Sequence, residues 1–327
     1  MRLHTAKLAK FIRRYDSIIL TTHDPADADG LGAQMVLASI LQNEGTQFRI
    51  INASVVPKHL KFLDPQGIIE QWNKKKHGEL FKESGLILLD TADELTTGNM
   101  KEIILQAKEI FVIDHHEPKA HSHFQGIADS SAASTCELTV VLAEAFGVTL
   151  DPQTAFAAYI GIAYDTGFFA YQKTGHRTFS AALSLFKLGV KPTDVYQKLH
   201  ENASVASLLL QKKALAGMTL HCNNRVAVQM LRLEDFAESG ALQEETEGFV
   251  NFPLKAKDII VSLLIRESHE GKVRCSLRSK GTVNVAKISQ GFDGGGHINA
   301  AGFKSDLDID QALELVLAKI TEYLDNA

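Results

Sequence analysis

SIILTTHDPADADGLGAQMVLASILQNEG, residues 17–45, changes periodicity within a few residues, and that change decides the fold class. It opens with the short apolar run SIILTTH. From Leu31 the apolar positions Leu31, Met35, Ala38 and Leu41 follow the i, i+3/i+4, i+7 spacing of an amphipathic helix, with Gly45 placed as a C-cap. The motif Asp27-x-Asp29-Gly30 therefore sits in a strand-to-helix loop. Outward from this unit the alternation continues. QFRIINAS is a second apolar run, then come GLILLD, a helix-like stretch and EIFVID. Strands alternating with helical patterns are the βαβ signature of a parallel sheet with helices on its faces.

Further along, Ser134-Thr-Cys-Glu137 has the S-x-x-E form of a capping box ahead of the apolar run LTVVLAEAF, so a helix starts there. A helical stretch around TAFAAYIGIAYD delivers Asp165 near its C-terminal end. From Thr178 to Met218 the pattern is helical almost throughout, broken at Pro192. After it RVAVQML, DIIVSLLIRES and KVRCSLRS read as strands of an antiparallel sheet, with a hairpin turn at Glu270-Gly271. In the closing segment Ile309, Leu313, Val316, Leu317 and Ile320 share one helix face. The expected architecture is α/β: a Rossmann-like parallel-sheet domain over 1–187, a helical linker over 188–222 and a smaller C-terminal α/β domain over 223–327.

Composition narrows the class. A chain of 327 residues exceeds the usual domain of roughly 100 to 200, so two domains are expected. Hydrophobic residues at 45% and charged ones at 22% describe a globular chain with a real core. No apolar run approaches the roughly 20 residues of a membrane span, and the N-terminus lacks a signal-peptide core, so a cytoplasmic location without membrane association is expected. Cys136, Cys222 and Cys275 are too few and too scattered for a disulfide framework or a CxxC site, and read as small hydrophobes. A net charge of −5 argues against a non-specific binder of long nucleic acid; any such substrate is short and gripped by a few local cations.

Chemistry concentrates in four patches: His23, Asp27 and Asp29 in the opening stretch, Asp90 in LILLDTAD, His115 and His116 in FVIDHHEP, and Asp165 in GIAYDTGFF. Each follows or overlaps an apolar run, where a parallel sheet gathers its carboxyl ends and binds ligands. Mixed carboxylates and imidazoles suit a divalent ion such as Mn²⁺. Asp27 and Asp29 alternate, so they can point at neighbouring ions, and Asp90 from another strand could bridge them. Taken singly, Asp90 or Asp165 reads equally as a helix cap or turn residue, and an Asp-rich loop as a turn or calcium loop. Two adjacent histidines after Ile-Asp have no packing role that apolar residues would not serve better. Order and spacing together point to a two-metal phosphoesterase.

In the C-terminal half, GFDGGGHINAAGF places Gly294, Gly295, Gly296 and His297 ahead of Asn299-Ala300-Ala301-Gly302. Consecutive glycines leave backbone N–H groups unshielded, and ahead of a small-residue helix start they could cradle an anion. His176-Arg177 could reach a nucleotide or serve as a surface cation, and His121 and His123 read as loop residues. Trp72 reads as a packed indole, and the Lys74-Lys75-Lys76 run as a solvated turn.

In this order the patches resemble the DHH phosphoesterase superfamily, named for Asp-His-His, here Asp114-His115-His116, and the resemblance covers nearly the whole chain. Its first motif, H-x-x-x-D-x-D, is met by His23, Asp27 and Asp29; its second is Asp90, its third the DHH and its fourth Asp165. The resemblance implies one ion on His23, Asp27 and Asp90 and another on Asp29, Asp90, His115 and Asp165. It further implies His116 on the substrate phosphate and Asp114 orienting a histidine. One departure is that the family commonly has proline directly before the first aspartate, whereas here the order is Pro25-Ala26-Asp27. The GGGH segment with Ser276-Leu277-Arg278-Ser279 looks like the DHH-associated substrate-binding domain. That implies Arg278 and Ser279 on a terminal phosphate, His297 near the scissile group, Gly295 and Gly296 lining the pocket and Asn299 beside them.

Within the superfamily, the length and the segment VVPKHLKFLDP look like the nano-RNase and pAp-phosphatase branch. The expected activity is metal-dependent trimming of very short RNA or DNA oligonucleotides to mononucleotides, with removal of the 3′-phosphate from adenosine 3′,5′-bisphosphate (pAp). Two divalent ions are expected, Mn²⁺ ahead of Mg²⁺ or Co²⁺. A phosphate held by Arg278 and the glycine loop would set the next phosphorus over the ions and so favour short chains. Rival readings are a hydrolase of linear or cyclic dinucleotide messengers, a manganese pyrophosphatase and a silent nucleotide-binding regulator. A homodimer is a further expectation, since dimers are common for enzymes of this kind.

Overall fold

The computed structural model describes residues 2–117 and 125–325, so His121 and His123 lie outside the described residues. The chain forms two compact units, Met1–Glu201 and Asn202–Ala327.

The first unit contains α1 (Arg2–Ile12), β1 (Ser17–Thr22), α2 (Ala28–Asn43), β2 (Gln47–Asn52), β3 (Ile69–Gln71), α3 (Lys74–Glu83), β4 (Gly85–Leu89), α4 (Lys101–Ile104), β5 (Ile110–Asp114), β6 (Gln125–Ala128), α5 (Thr135–Ala145), α6 (Pro152–Asp165), α7 (His176–Lys187) and α8 (Pro192–His200). Its six strands are parallel in the order β3-β2-β1-β4-β5-β6. Strand direction of progress reverses between β1 and β4, which is where doubly wound sheets bind ligands, beyond the carboxyl ends of the strands. Both faces are covered, which explains why these strands read as nearly continuous apolar runs. Ile18, Leu20, Ile87, Leu89, Phe111 and Ile113 pack with residues of α1, α2, α5 and α6. Ile19, Leu86, Leu88 and Val112 pack on the other side with Phe81 of α3 and with Ile103 and Ile104 of α4.

Three helices on the first face approach unusually closely. A Cβ at Gly32 would meet the Ala157 carbonyl at 2.6 Å and Cys136 Sγ at 2.7 Å; one at Gly161 would meet Cys136 Sγ at 2.3 Å and the Asp29 Cα at 3.0 Å. Here glycine permits close packing of α2, α5 and α6. Gly161→Val should cost about 1–3 kcal/mol by overpacking and should displace Asp29. Thermal unfolding and turnover measured together check this: a stable, fully active Gly161→Val variant would contradict the packing.

The second unit contains α9 (Val205–Ala216), β7 (Thr219–His221), β8 (Val226–Leu231), α10 (Leu233–Ser239), β9 (Val261–Glu267), β10 (Val273–Ser279), α11 (Val285–Gln290), β11 (Gly295–His297), β12 (Ala300–Ser305) and α12 (Ile309–Asp325). Its sheet runs β11-β12-β10-β9-β8-β7. The expected antiparallel sheet is corrected in one place, since β8 and β9 pair in parallel. Between them lie α10 and three 3₁₀ turns, a connection long enough to return the chain to the starting edge. The turn between β9 and β10 is a tight hairpin, with Ser268 and Lys272 paired through the backbone and Gly271 at φ 72°.

Three further expectations change. The stretch 188–222 divides between the units, with α8 in the first and α9 in the second. Lys74-Lys75-Lys76 is exposed as expected, but as the first turn of α3, capped by Asn73, and not as a separate turn. Ala300–Ser305 is a strand paired with β10, so the GGGH segment opens a hairpin and no helix starts there. Its glycines have backbone reasons: a Cβ at Gly296 (φ 137°) would meet the Ala300 carbonyl at 2.3 Å, and one at Gly294 would meet Phe303 Cβ at 2.4 Å. Among the described residues no helix is long and apolar enough to cross a membrane.

Candidate active site

The carboxyl edge of the first sheet gathers residues from each of the four patches. Asp27 is the N-cap of α2, accepting from the Asp29 and Gly30 amides at 3.0 Å each, and Asp29 is in the helix's first turn. The pair expected in a loop is thus fixed by helix geometry. A Cβ at Gly30 would meet Thr22 Oγ1 at 2.3 Å, so a glycine lets α2 start directly against β1. Asp29 is fully buried, and its carboxylate accepts from the amides of Thr135 at 2.6 Å and Cys136 at 2.8 Å. The N-terminus of α5 therefore holds it as such termini hold anions.

Asp90 follows β4 with its backbone in the left-handed region, φ 59°. A non-glycine residue held there marks local strain of a kind that clusters at functional sites. Its buried carboxylate lies 3.3 Å from His23 Nε2 through Oδ2, and 3.5 Å from His115 Nε2 and 3.7 Å from His116 Nδ1 through Oδ1. Thr135 donates its hydroxyl to the same Oδ1 at 3.0 Å.

His115 and His116 follow β5. The His116 ring donates to Asp114 Oδ1 at 2.6 Å from Nδ1, and its amide donates to the same oxygen at 3.1 Å, so Asp114 fixes this ring. Burial would raise the Asp114 carboxyl, but the hydrogen bond and charge of His116 outweigh it and hold it below the usual range.

Asp165 ends α6, where the helix dipole disfavours a carboxylate. The turn that follows is left-handed at Gly167, Phe168 and Phe169, with φ of 54°, 58° and 67°. Packing supports it: Phe168 and Phe169 meet edge to face, Phe169 stacks on Phe179, and Phe168 contacts Tyr196 and His200.

Among the described residues, donor atoms form three overlapping groups: His23, Asp27 and Asp90; Asp29, His115 and Asp165; and Asp90, His115 and His116. Their chemistry fits a cation. His115 Nε2 stands 3.0 Å from Asp165, 3.5 Å from Asp90 and 3.9 Å from Asp29, yet neither ring nitrogen makes a well-directed hydrogen bond. Lone pairs converging on one point without bonding one another are the arrangement a metal ion requires.

Without a cation the carboxylates are poorly accommodated. Burial and the Asp165 charge push Asp29 up to about 6, burial and the Asp27 charge push Asp165 up to about 7, and burial with the Asp29 charge raises Asp90 well above its ordinary value. Burial would lower the His23 imidazole, but hydrogen bonds to Asp27 and Asp90 prevail and push it up to about 11. A divalent ion inverts this local order by favouring every deprotonated form.

Several residues at this edge were not legible in the sequence. Thr135 serves both Asp29 and Asp90, and the only signal for it was the helix start at Ser134. Lys173 donates to the His115 carbonyl at 3.4 Å, and its charge acts on Asp165. The capping box at 134–137 is half formed: Ser134 accepts from the Glu137 amide at 3.0 Å, but the Glu137 carboxylate turns to Arg177 and Thr178. Arg177 also pairs with Asp129 at 2.8 Å, so this cation is engaged within the fold.

In the second unit, Arg278 and Ser279 lie on opposite faces of β10, as adjacent strand residues must. The Ser279 hydroxyl donates to the Val283 carbonyl at 2.6 Å and accepts from the Asn299 amide at 2.9 Å. These two side chains hold the 281–283 loop, while Arg278 faces the other side of the strand. Gly295 borders open space, since a Cβ there would meet nothing within 4 Å.

Comparison with known proteins agrees with this layout. Residues 17–162 match the DHH family N-terminal domain and residues 223–326 the DHHA1 domain. A bifunctional oligoribonuclease and PAP phosphatase NrnA of Thermus thermophilus is 27% identical over 95% of this chain and 91% of its own. A cyclic-di-AMP phosphodiesterase GdpP of Geobacillus thermodenitrificans is 25% identical over 99% of this chain but 50% of its own. The crystal structure of an exopolyphosphatase-related protein from Bacteroides fragilis superposes with a TM-score of 0.92 at 25% identity, covering 99% of this chain and 97% of that one. A chain that matches both domain models in order, over most of its length, belongs to the DHH family of metal-dependent phosphoesterases.

Proposed function

We propose that this chain degrades RNA oligonucleotides of a few residues to mononucleotides and removes the 3′-phosphate of pAp. The observation that carries the chemistry is Asp90, whose two oxygens face separate donor groups, His23 on one side and His115 on the other. The substrate class is supported by similarity to the Thermus NrnA along nearly the full length of both chains. Two divalent ions, Mn²⁺ by the mixed donor set, would supply a water of lowered pKa and positive charge opposite the reacting phosphorus.

In this reading His23, Asp27 and Asp90 hold one ion, and Asp29, Asp90, His115 and Asp165 the other. Asp114 sets the His116 ring so that its Nε2 meets a substrate phosphate oxygen. The second unit supplies grip: Arg278 offers a guanidinium fork to a phosphate, Gly295, Gly296 and His297 are further substrate-binding residues, and Ser279 and Asn299 hold the neighbouring loop. A second reading, hydrolysis of linear or cyclic dinucleotide messengers, is favoured by the GdpP relative, which aligns with 99% of this chain.

The test is product analysis with Mn²⁺ on a labelled RNA dinucleotide and pentanucleotide, beside pAp, pGpG and cyclic di-AMP. Mononucleotides from the oligomers and AMP from pAp are expected; efficient turnover of the messengers with neglect of pAp would favour the second reading instead. Arg278→Ala should raise KM for substrates with a free terminal phosphate on the order of tenfold while changing kcat little, because it removes binding and leaves the metal donors in place. An unchanged KM would remove Arg278 from this role.

A further inference from the structure

Buried and half-buried residues alternate along all of β10, so Arg274, Ser276 and Arg278 share one face. Strand register carries that face across the sheet. Arg274 lies opposite Arg266 on β9 and Lys304 on β12, Ser276 opposite Leu264 and Gly302, and Arg278 opposite Ser262 and Ala300. Three cations therefore stand directly across from one another on three adjacent strands. Like charges so placed destabilise a sheet.

Their own acids do not fully answer them. Glu270, in the hairpin turn, lies 3.3 Å from Arg274 Nη2 and 3.8 Å from Lys304 Nζ, and so is shared between two cations. Arg274 Nε is buried without a hydrogen-bond partner. Arg266 donates to Thr246; burial and the Arg274 charge push its guanidinium down to about 10, although the Glu247 charge opposes this.

We propose that Arg266, Arg274 and Lys304 form a second anion subsite on this unit, which takes a further backbone phosphate of a bound oligonucleotide. The inference rests on the proposed role of Arg278 as the first phosphate site. Arg274 and Arg278 are four residues apart on one strand, roughly 13 Å at ~3.3 Å per residue. A stacked strand advances about 3.4 Å per phosphate and an extended one about twice that, so the span matches roughly two to four nucleotides. Between the cationic ends the floor is Ser276 and Gly302. A Cβ at Gly302 would meet the Cys275 carbonyl at 2.8 Å, while Gly295, its partner on β11, borders open space. Guanidinium forks match phosphate oxygens, and Glu270 is the group an entering phosphate would displace.

The subsite predicts a dependence on chain length. In Arg274→Gln/Lys304→Gln, KM for an RNA pentanucleotide should rise on the order of tenfold, with the values for pAp and a dinucleotide moving less than twofold. Binding of a fluorescein-labelled pentanucleotide in EDTA, read by anisotropy against salt, should lose about two units of log–log slope, one per removed cation. Arg274→Lys, which keeps the charge, should recover most of the affinity, and melting curves establish that each variant is folded. A rise in KM equal at all lengths, or an unchanged salt slope, overturns the subsite. If the parent protein turns over no oligonucleotide and no pAp, the functional reading fails, and the anisotropy slopes still decide whether the row binds phosphate.

Discussion

Asp90→Asn should lower turnover of every substrate on the order of a thousandfold or more, while leaving the metal-free protein at least as stable as the parent. The two halves of this expectation have one cause. The Asp90 carboxylate is within 3.3 to 3.7 Å of three imidazoles and, like His115, is shared by two of the three groups among the described residues that could hold metal. An amide cannot bridge two cations, because one of its oxygens is replaced by a donor. The fold loses little, since asparagine tolerates the left-handed backbone at this position and can still accept from Thr135. Neutralising the side chain also relieves its repulsion with Asp29 and Asp27. Turnover with Mn²⁺ and melting temperatures with and without Mn²⁺ measure both. A variant that keeps normal turnover, or one that unfolds without metal, would remove Asp90 from the centre of the site.

What the sequence disclosed follows from which interactions are local. The runs at 17–22, 85–89 and 110–114 are apolar because both sheet faces are covered, so each strand was visible by itself. The cluster of carboxylates and imidazoles was visible because each stands at a strand end or helix end with a recognisable neighbourhood. The parallel pairing of β8 and β9 was hidden, since strand direction depends on what the intervening residues 232–260 do and not on the strands themselves. Thr135 was hidden for a related reason: its amide and hydroxyl serve residues more than 40 positions away, and nothing near it in the chain reports that use. The helix expected after the glycine-rich segment failed because small residues suit a helix start and a hairpin strand equally, and only the approach of Ala300 and Phe303 to the glycines shows the hairpin. That Arg278 and Ser279 face opposite ways was hidden too, since a strand separates neighbours that a loop could bring together.

The metal-free protein should lose melting temperature as pH rises from about 5 to 8, and Mn²⁺ should abolish most of that loss. Burial and mutual repulsion raise Asp29 to about 6 and Asp165 to about 7, above an unfolded value of 3.8. A carboxyl whose folded pKa is raised adds stability that is complete below the unfolded value and is lost as pH climbs through the folded one. Asp90 shifts in the same direction. Asp27 and Asp114 shift downward, so their contribution is lost only as pH falls below the usual carboxylate range, outside this window. His23, raised to about 11 from an ordinary 6.5, begins to lose its contribution above about pH 6.5 and so adds to the same fall. Metal binding requires the deprotonated donors, so the added stability from Mn²⁺ should grow with pH over the same interval. Melting curves in EDTA and in Mn²⁺ at half-unit steps of pH test the slope. Asp165→Asn separates these groups from the chain's other titrations, because removing one of the repelling carboxylates should flatten the EDTA profile while weakening the response to Mn²⁺. An EDTA profile that is flat in the parent, or unchanged by Asp165→Asn, would mean that these carboxylates do not crowd one another in solution, and the case for a cation at this edge would lose its electrostatic support.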